Sequence, residues 1–212
     1  MEPGFWQARW ESNQIGFHEG KPNALLVKHL SRLGLAAGAR VFVPLCGKTR
    51  DIAFLLDQGF RVVGAELSRL AVEQLFDELA VAPEVAAAGP LTRFSAPGLD
   101  IFVGDIFDLD AETLGKVDAV YDRAALVALP GPMRASYATH LAGITADAPQ
   151  LVICFVYDQS LQEGPPFSVP PETVEALYGA AYRLTLVESV EVPGGLKGKC
   201  AASEQVWLLD HA

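Results

Sequence analysis

The stretch VFVPLCGKTRDIAFLL, Val41 to Leu56, decides how this chain is read. It is an apolar run, then a turn, then an amphipathic segment. Val41 to Leu45 reads as a buried strand, and Pro44 near its end has no N–H to continue a ladder. Ile52, Leu55 and Leu56 form the apolar face of a helix, which Gly59 stops. Between strand and helix stands Gly47-Lys48-Thr49, the tail of a phosphate-binding P-loop. That motif needs a glycine five places before Gly47, and the residue there is Phe42, inside the strand. The dinucleotide fingerprint fails as well, because the turn contains a single glycine. A backbone cradle for phosphates is therefore not expected.

The same strand–turn–helix order recurs outward from this stretch. RVVGAEL ends a second strand at Glu66 and Leu67. Ser68 is placed to cap a helix with the buried stripe Val72, Leu75, Phe76 and Leu79. LDIFVG ends a third strand beside Asp105, and VDAVYD ends a fourth at Asp122 and Arg123. LVICFVY is a continuous apolar run, as in a central strand covered on both faces. Leu26, Leu30 and Leu33 mark a helix after Pro22. Met133, Tyr137, Leu141 and Ile144 mark another, and a last one lies near Thr173 to Tyr178. Strands near Arg183 to Val192 and Glu204 to Leu209 have only VPGGLKGKCAAS between them, so they should pair antiparallel. The expectation is an α/β fold. Its doubly wound, Rossmann-like sheet is mostly parallel, with an antiparallel pair at the C-terminus. PEVAAAGPLTRFSAPG, Pro83 to Gly98, reads as a surface loop.

The bulk composition narrows the function classes. The chain has 212 residues, half of them hydrophobic, which suits one domain with a real core. A formal net charge of −10 speaks against a nucleic-acid partner, which needs a basic face. No apolar run is long enough for a membrane span, and MEPGFWQARWESNQ does not read as a secretory leader. Cys46, Cys154 and Cys200 are scattered and lack metal-ligand spacing, so no metal is expected and the plain expectation is a reduced cytoplasm.

In open α/β sheets ligands bind beyond the carboxyl ends of the strands. Glu66 stands at such an end, 19 residues after Gly47. A carboxylate there either accepts hydrogen bonds from ribose hydroxyls or is a solvated strand end. A ligand with a ribose and no phosphates fits the first option, and S-adenosyl-L-methionine (SAM) is the commonest such ligand on this fold.

FWQARWESNQIGFHEG, VFVPLCGKTRDIAFLLDQGFRVVGAELS, GDIFDL, YDRAALVAL and GPPFSVP together resemble the thiopurine S-methyltransferase family in its short bacterial form. The resemblance runs from about Phe5 to Leu209. It implies a class I SAM-dependent methyltransferase that moves a methyl group to the sulfur of aromatic or heterocyclic thiols. Bacterial members are also associated with methylating selenium and tellurium compounds. A SAM-binding module without thiol methyltransferase activity is the reading from another class. The resemblance puts cofactor contacts on Trp10, Leu45, Glu66, Asp105, Ile106 and Arg123, and a substrate contact on Phe17. It suggests a monomer acting on small molecules, away from nucleic acid and membrane. One departure stands out: members carry an arginine near the substrate in the last loop, and this loop has only Lys197 and Lys199 as cations.

In this frame Leu45 and Cys46 bring backbone to the methionine part of the cofactor, and Asp105 and Ile106 flank adenine. Arg123 holds the cofactor carboxylate, the incoming thiolate, or both; its bland alternative is an ion pair with Asp122. Asp105 could equally be a turn cap, and His18 an ordinary structural or surface histidine. Cys46 has no histidine near it in sequence to activate it as a nucleophile. Phe5, Trp6, Trp10 and Phe17 precede the alternating elements and need something to cover. They suggest a lid over residues 1–20 with little regular structure, on a single domain of residues 1–212. GPPFSVP could help to roof a flat aromatic substrate.

Overall fold

The computed structural model describes residues 3–16 and 18–211. Along the chain the elements are α1 (Pro3–Glu11), α2 (Ala24–His29), β1 (Arg40–Val43), α3 (Arg50–Asp57), β2 (Arg61–Glu66), α4 (Arg69–Glu78), β3 (Glu84–Ala88), β4 (Leu91–Ala96), β5 (Leu99–Val103), α5 (Ala111–Leu114), β6 (Ala119–Arg123), α6 (Gly131–Thr145), β7 (Gln150–Tyr157), α7 (Pro171–Tyr178), β8 (Tyr182–Glu191) and β9 (Ala202–His211). The strands form one sheet in the order β3-β4-β5-β2-β1-β6-β7-β9-β8. From β5 to β7 the pairing is parallel. β9 runs antiparallel to both β7 and β8. This is the expected doubly wound α/β sheet with its antiparallel C-terminal pair.

Alternation along β1 explains why both faces are covered. Phe42 enters one core with Val63, Val120 and Val152, beneath Tyr137 and Leu141 of α6 and Val174 of α7. Val41 and Val43 enter the other, with Leu26 of α2, Ile52 and Leu55 of α3, and Leu75 and Phe76 of α4. Successive strand side chains point to opposite faces, so the run Val41-Phe42-Val43 can be apolar throughout only when both faces are dry. Side chains also fix the helix starts. Asn23 accepts from the Leu25 and Leu26 amides, Thr49 from that of Asp51, and Ser68 from that of Ala71.

The segment read as a surface loop is a hairpin. β3 and β4 pair antiparallel around Gly89-Pro90, and β4 continues the sheet beyond β5. Gly89 takes the positive φ of 61° that the two-residue turn needs. The alanine-rich β3 has weak strand propensity and is largely exposed. Its strand state comes from pairing with β4, which local sequence does not announce.

The chain leaves β1 toward β2 and β5, then returns to lay β6 on β1's other side. This reversal is the topological switch point, and the loops after β1 and β6 open there together.

Candidate functional site

A cavity of about 680 Å³ lies over the switch point, within the size range of pockets that bury a small organic ligand. Its floor comes from the loops after β1, β2, β5 and β6. Its roof comes from α1, the strap that follows it, the turn at Pro165-Pro166 and the loop between β8 and β9. Trp10, Leu45, Glu66, Asp105, Ile106 and Arg123 all line it, although they come from five separate places in the sequence. Phe17 lies outside the described residues.

The floor is held by Glu66, which is only 6% exposed. One carboxylate oxygen accepts from the Gly47 amide at 2.7 Å, the other from the Ser68 amide at 2.8 Å. The solvated strand-end reading is therefore corrected, and the side chain is part of the buried framework. Burial pushes its pKa up, and the amide hydrogen bonds work against that rise. The arrangement also answers the P-loop question. A protein carboxylate already occupies the amide donor of Gly47. The Lys48 amine is committed to Glu78 at 2.8 Å. A phosphate would meet a negative charge where a P-loop offers free N–H groups. Beyond these amides the Glu66 oxygens keep capacity for a further donor, such as a ligand hydroxyl.

The loop around Glu66 is tight. Leu45 sits in the left-handed region at φ 45°, uncommon for a residue with a side chain. Gly64 in β2 lets Cys46 approach, since a Cβ there would lie 2.9 Å from Sγ and 2.7 Å from Ile101 Cδ1. Burial, with the Glu66 charge nearby, pushes the Cys46 thiol well up, so it is no nucleophile. Among the described residues no group of histidine, cysteine or carboxylate side chains could hold a metal ion.

Asp105 is a turn cap that also reaches the cavity. One oxygen caps the turn at Ile106–Asp108 through the Phe107 amide at 3.0 Å, and the exposed side chain still borders the cavity. Ile106 is buried beneath, and its carbonyl bonds His140 Nε2 at 2.8 Å. The ion pair proposed between Arg123 and Asp122 does not form. Adjacent strand residues point to opposite faces, and Asp122 lies in the core, accepting from the Tyr137 hydroxyl and the Leu126 amide. Burial raises its pKa to about 6. Arg123 instead pairs with Glu19 of the strap, which brings 104 residues of sequence separation into contact.

The roof is more regular than expected. Pro3–Glu11 is helical and ends before Ser12-Asn13. Trp6, Arg9 and Trp10 of this helix line the cavity. Trp10 is 4% exposed and lies on Gly47, where an added Cβ would be 3.0 Å from its ring. His18 also lines the cavity. Burial, then the Lys48 charge, pushes its pKa down and favours the neutral ring. In GPPFSVP Pro165 and Pro166 reach the cavity. Phe167 turns away, packing beneath Arg134 while its amide bonds the Val127 carbonyl. The last loop folds back on itself through a Leu196–Cys200 bridge. It presents Leu196 and Lys197 to the cavity, with Lys197 at φ 52°.

Sequence reasoning passed over Arg9, Glu19, Phe107, Leu129 and Met133, all of which line the cavity. Phe107 carried a usable signal, as an aromatic just after Asp105 and Ile106 at a strand end. Arg9 and Met133 stand on helices, Glu19 on the strap and Leu129 in the loop before α6, and which side of each faces the cavity is set only by packing.

Comparisons agree with this geometry. The family model described as "Thiopurine S-methyltransferase (TPMT)" matches residues 1–211. A thiopurine S-methyltransferase of Xanthobacter autotrophicus is 68% identical over all of both chains. One of Gluconobacter oxydans is 51% identical over 96% of this chain and 92% of its own. Among solved structures, a Burkholderia thailandensis 1,6-didemethyltoxoflavin-N1-methyltransferase with bound S-adenosylhomocysteine aligns at a TM-score of 0.67 and 17% identity, covering 99% of this chain and 87% of that one. A Synechocystis magnesium protoporphyrin IX methyltransferase with the same bound product aligns at 0.67 and 14% identity, covering 98% and 99%.

Proposed function

We infer, from the premise that the chain belongs to the thiopurine S-methyltransferase family, that it transfers a methyl group from SAM to the sulfur of aromatic or heterocyclic thiols. The observation that carries the reading is Glu66. It closes the first loop to phosphates while keeping acceptor capacity for the hydroxyls of a ribose.

SAM supplies an electrophilic methyl carbon on a sulfonium. The protein's part is binding, orientation and charge. Glu66 receives the ribose hydroxyls. Ile106, with Leu67 and Phe107 beside it, offers apolar surface to the adenine, and Asp105 offers a polar edge. Leu45 and Cys46 bring backbone to the methionine portion, and Trp10 covers it. Arg123 exchanges Glu19 for the carboxylate or thiolate of the ligands, so its charge stays neutralised in either state. The acceptor sulfur reacts as a thiolate. Its proton has left to solvent, and its electron pair forms the new S–C bond as the old one breaks toward the sulfonium sulfur. Heterocyclic thiols ionise readily, so no strong base is required.

Residues 1–20 act as a lid on the single domain. The Glu19–Arg123 pair ties the strap to the end of β6 until a ligand takes Arg123 over. Several observations support a cytoplasmic enzyme of small molecules. Among the described residues no helix is long and apolar enough to cross a membrane. The cysteines are free and buried, and the net charge of −10 repels nucleic acid. We take it to act as a monomer, which sedimentation checks.

The deciding experiment is a methyl-transfer screen with labelled SAM against aromatic thiols, selenite and tellurite. S-methylated aromatic products at the highest kcat/KM support the reading. Methylated selenium or tellurium alone would make it a metalloid enzyme. SAM binding without transfer would make it a binding module.

A further inference from the structure

Four lysine and arginine side chains line the cavity: Arg9, Lys48, Arg123 and Lys197. Lys48 is paired with Glu78, and Arg123 with Glu19. Arg9 has no carboxylate partner among the described residues, and its Nε is buried without a hydrogen-bond partner. Its guanidinium carbon lies 4.5 Å from the centroid of the Phe5 ring, which holds the plane of the fork from one side. The Lys197 ammonium donates to the Pro165 carbonyl at 2.8 Å, a neutral acceptor. Burial, and after it the charge of Arg9, pushes its pKa down, so the two cations feel each other. A buried donor of this kind carries a cost while it is unmatched. An anion arriving from outside removes that cost and the mutual repulsion together.

Position says which anion. Glu66, Asp105 and Ile106 stand at the ends of β2 and β5, to one side of β1. Pro165 follows β7, and Lys197 joins β8 to β9, on the other side. Arg9 and Lys197 thus face the half of the cavity across from the cofactor's ribose and base. We propose that Arg9 is a specificity-determining residue that grips an anionic substituent on the acceptor thiol, with Lys197 adding fixed positive potential beside it. This rests on the methyltransferase reading above. The planar fork matches a carboxylate or sulfonate in two parallel hydrogen bonds. A helix at the start of the chain thereby supplies the planar cation that the last loop lacks.

The test uses the full-length protein loaded with S-adenosylhomocysteine. Titration calorimetry measures 4-mercaptobenzoate against its uncharged counterpart 4-methylthiophenol, and kcat/KM is measured for both with SAM. The quantity read is the preference for the charged thiol. Wild type should prefer 4-mercaptobenzoate, and Arg9→Ala should cut that preference tenfold or more. Arg9→Gln, which keeps a planar polar group without the charge, should do the same, and Arg9→Lys should cut it less. No preference in wild type, or one unchanged in Arg9→Ala and Arg9→Gln, overturns the proposal. So does an Arg9→Ala protein that binds S-adenosylhomocysteine more weakly while binding 5′-methylthioadenosine normally, because Arg9 would then hold the cofactor's own carboxylate. Selective binding of 4-mercaptobenzoate that Arg9→Ala abolishes, with no methylation of either thiol, would overturn the activity and leave the anion site standing.

Discussion

The floor and the roof of the cavity are built on different principles. The floor is closed on itself: both Glu66 oxygens are met by backbone amides, and Cys46 is wedged against Gly64. The roof is assembled from a helix, a strap and two loops, and its charges are held loosely or not at all. Glu19 can leave Arg123 for water, since it is 43% exposed, and Arg9 has no anion to hold. On the proposed reading, the difference makes one site rigid toward the constant cofactor and adjustable toward the acceptor. Positioning wants interactions finished before the ligand arrives. Selection and closure want interactions that the ligand completes.

The comparison can be broken most severely by removing the roof. Deleting residues 1–17 should leave a folded domain, because the sheet begins only at Arg40. The loss in kcat/KM should be about a hundredfold or more, which is about 2.7 kcal/mol. Circular dichroism and thiol methylation check the two halves of this statement. Hydrogen exchange of residues 5–20 sharpens it. Protection should rise when S-adenosylhomocysteine binds, and strong protection in the free protein unaltered by ligand would make α1 and the strap ordinary packed structure.

The floor should fail differently. Glu66→Ala should weaken SAM by about 1–3 kcal/mol through lost charge-assisted hydrogen bonds. It should also lower the melting temperature, because the Gly47 and Ser68 amides lose their acceptor. A variant with normal SAM affinity but a lowered melting temperature would make Glu66 a brace only. Arg123→Lys sits where floor meets roof and should lower turnover or cofactor affinity about tenfold, or about 1.4 kcal/mol. Unchanged kinetics would reduce Arg123 to a partner of Glu19.

The last expected effect is on stability alone and lies beneath the floor, at Asp122. Its carboxyl is pushed from 3.8 to about 6 by burial. Below about pH 4 it is protonated in the folded and unfolded chain alike. As pH rises toward 6 the unfolded carboxyl ionises first, so the folded state loses stability, by up to about 3 kcal/mol. Asp122→Asn has no such proton to lose. The melting temperature of wild type relative to the variant should therefore fall by several degrees between pH 4 and pH 7. A gap that does not move with pH would show that the carboxyl titrates normally.

By itself the sequence determined the sheet and the strand ends at which Leu45, Glu66, Asp105, Ile106 and Arg123 stand. The reason is that burial imposes local, repeating patterns. Val41, Phe42 and Val43 are all apolar because both faces of β1 are covered, and Asn23, Thr49 and Ser68 are written at helix starts because the first amides need an acceptor. The β3–β4 hairpin escaped because an alanine-rich edge strand carries almost no such pattern. Tertiary structure alone decided the partners of the charges. Arg123 sits beside Asp122 in sequence but beside Glu19 in space. Lys48 looks like a phosphate lysine and is spent on Glu78. Arg9, unremarked in sequence, reaches the cavity next to Lys197. Coulomb forces and hydrogen bonds act over a few ångströms of space. Which distant segments come that close is settled only when the layers pack and the connecting loops close over the switch point.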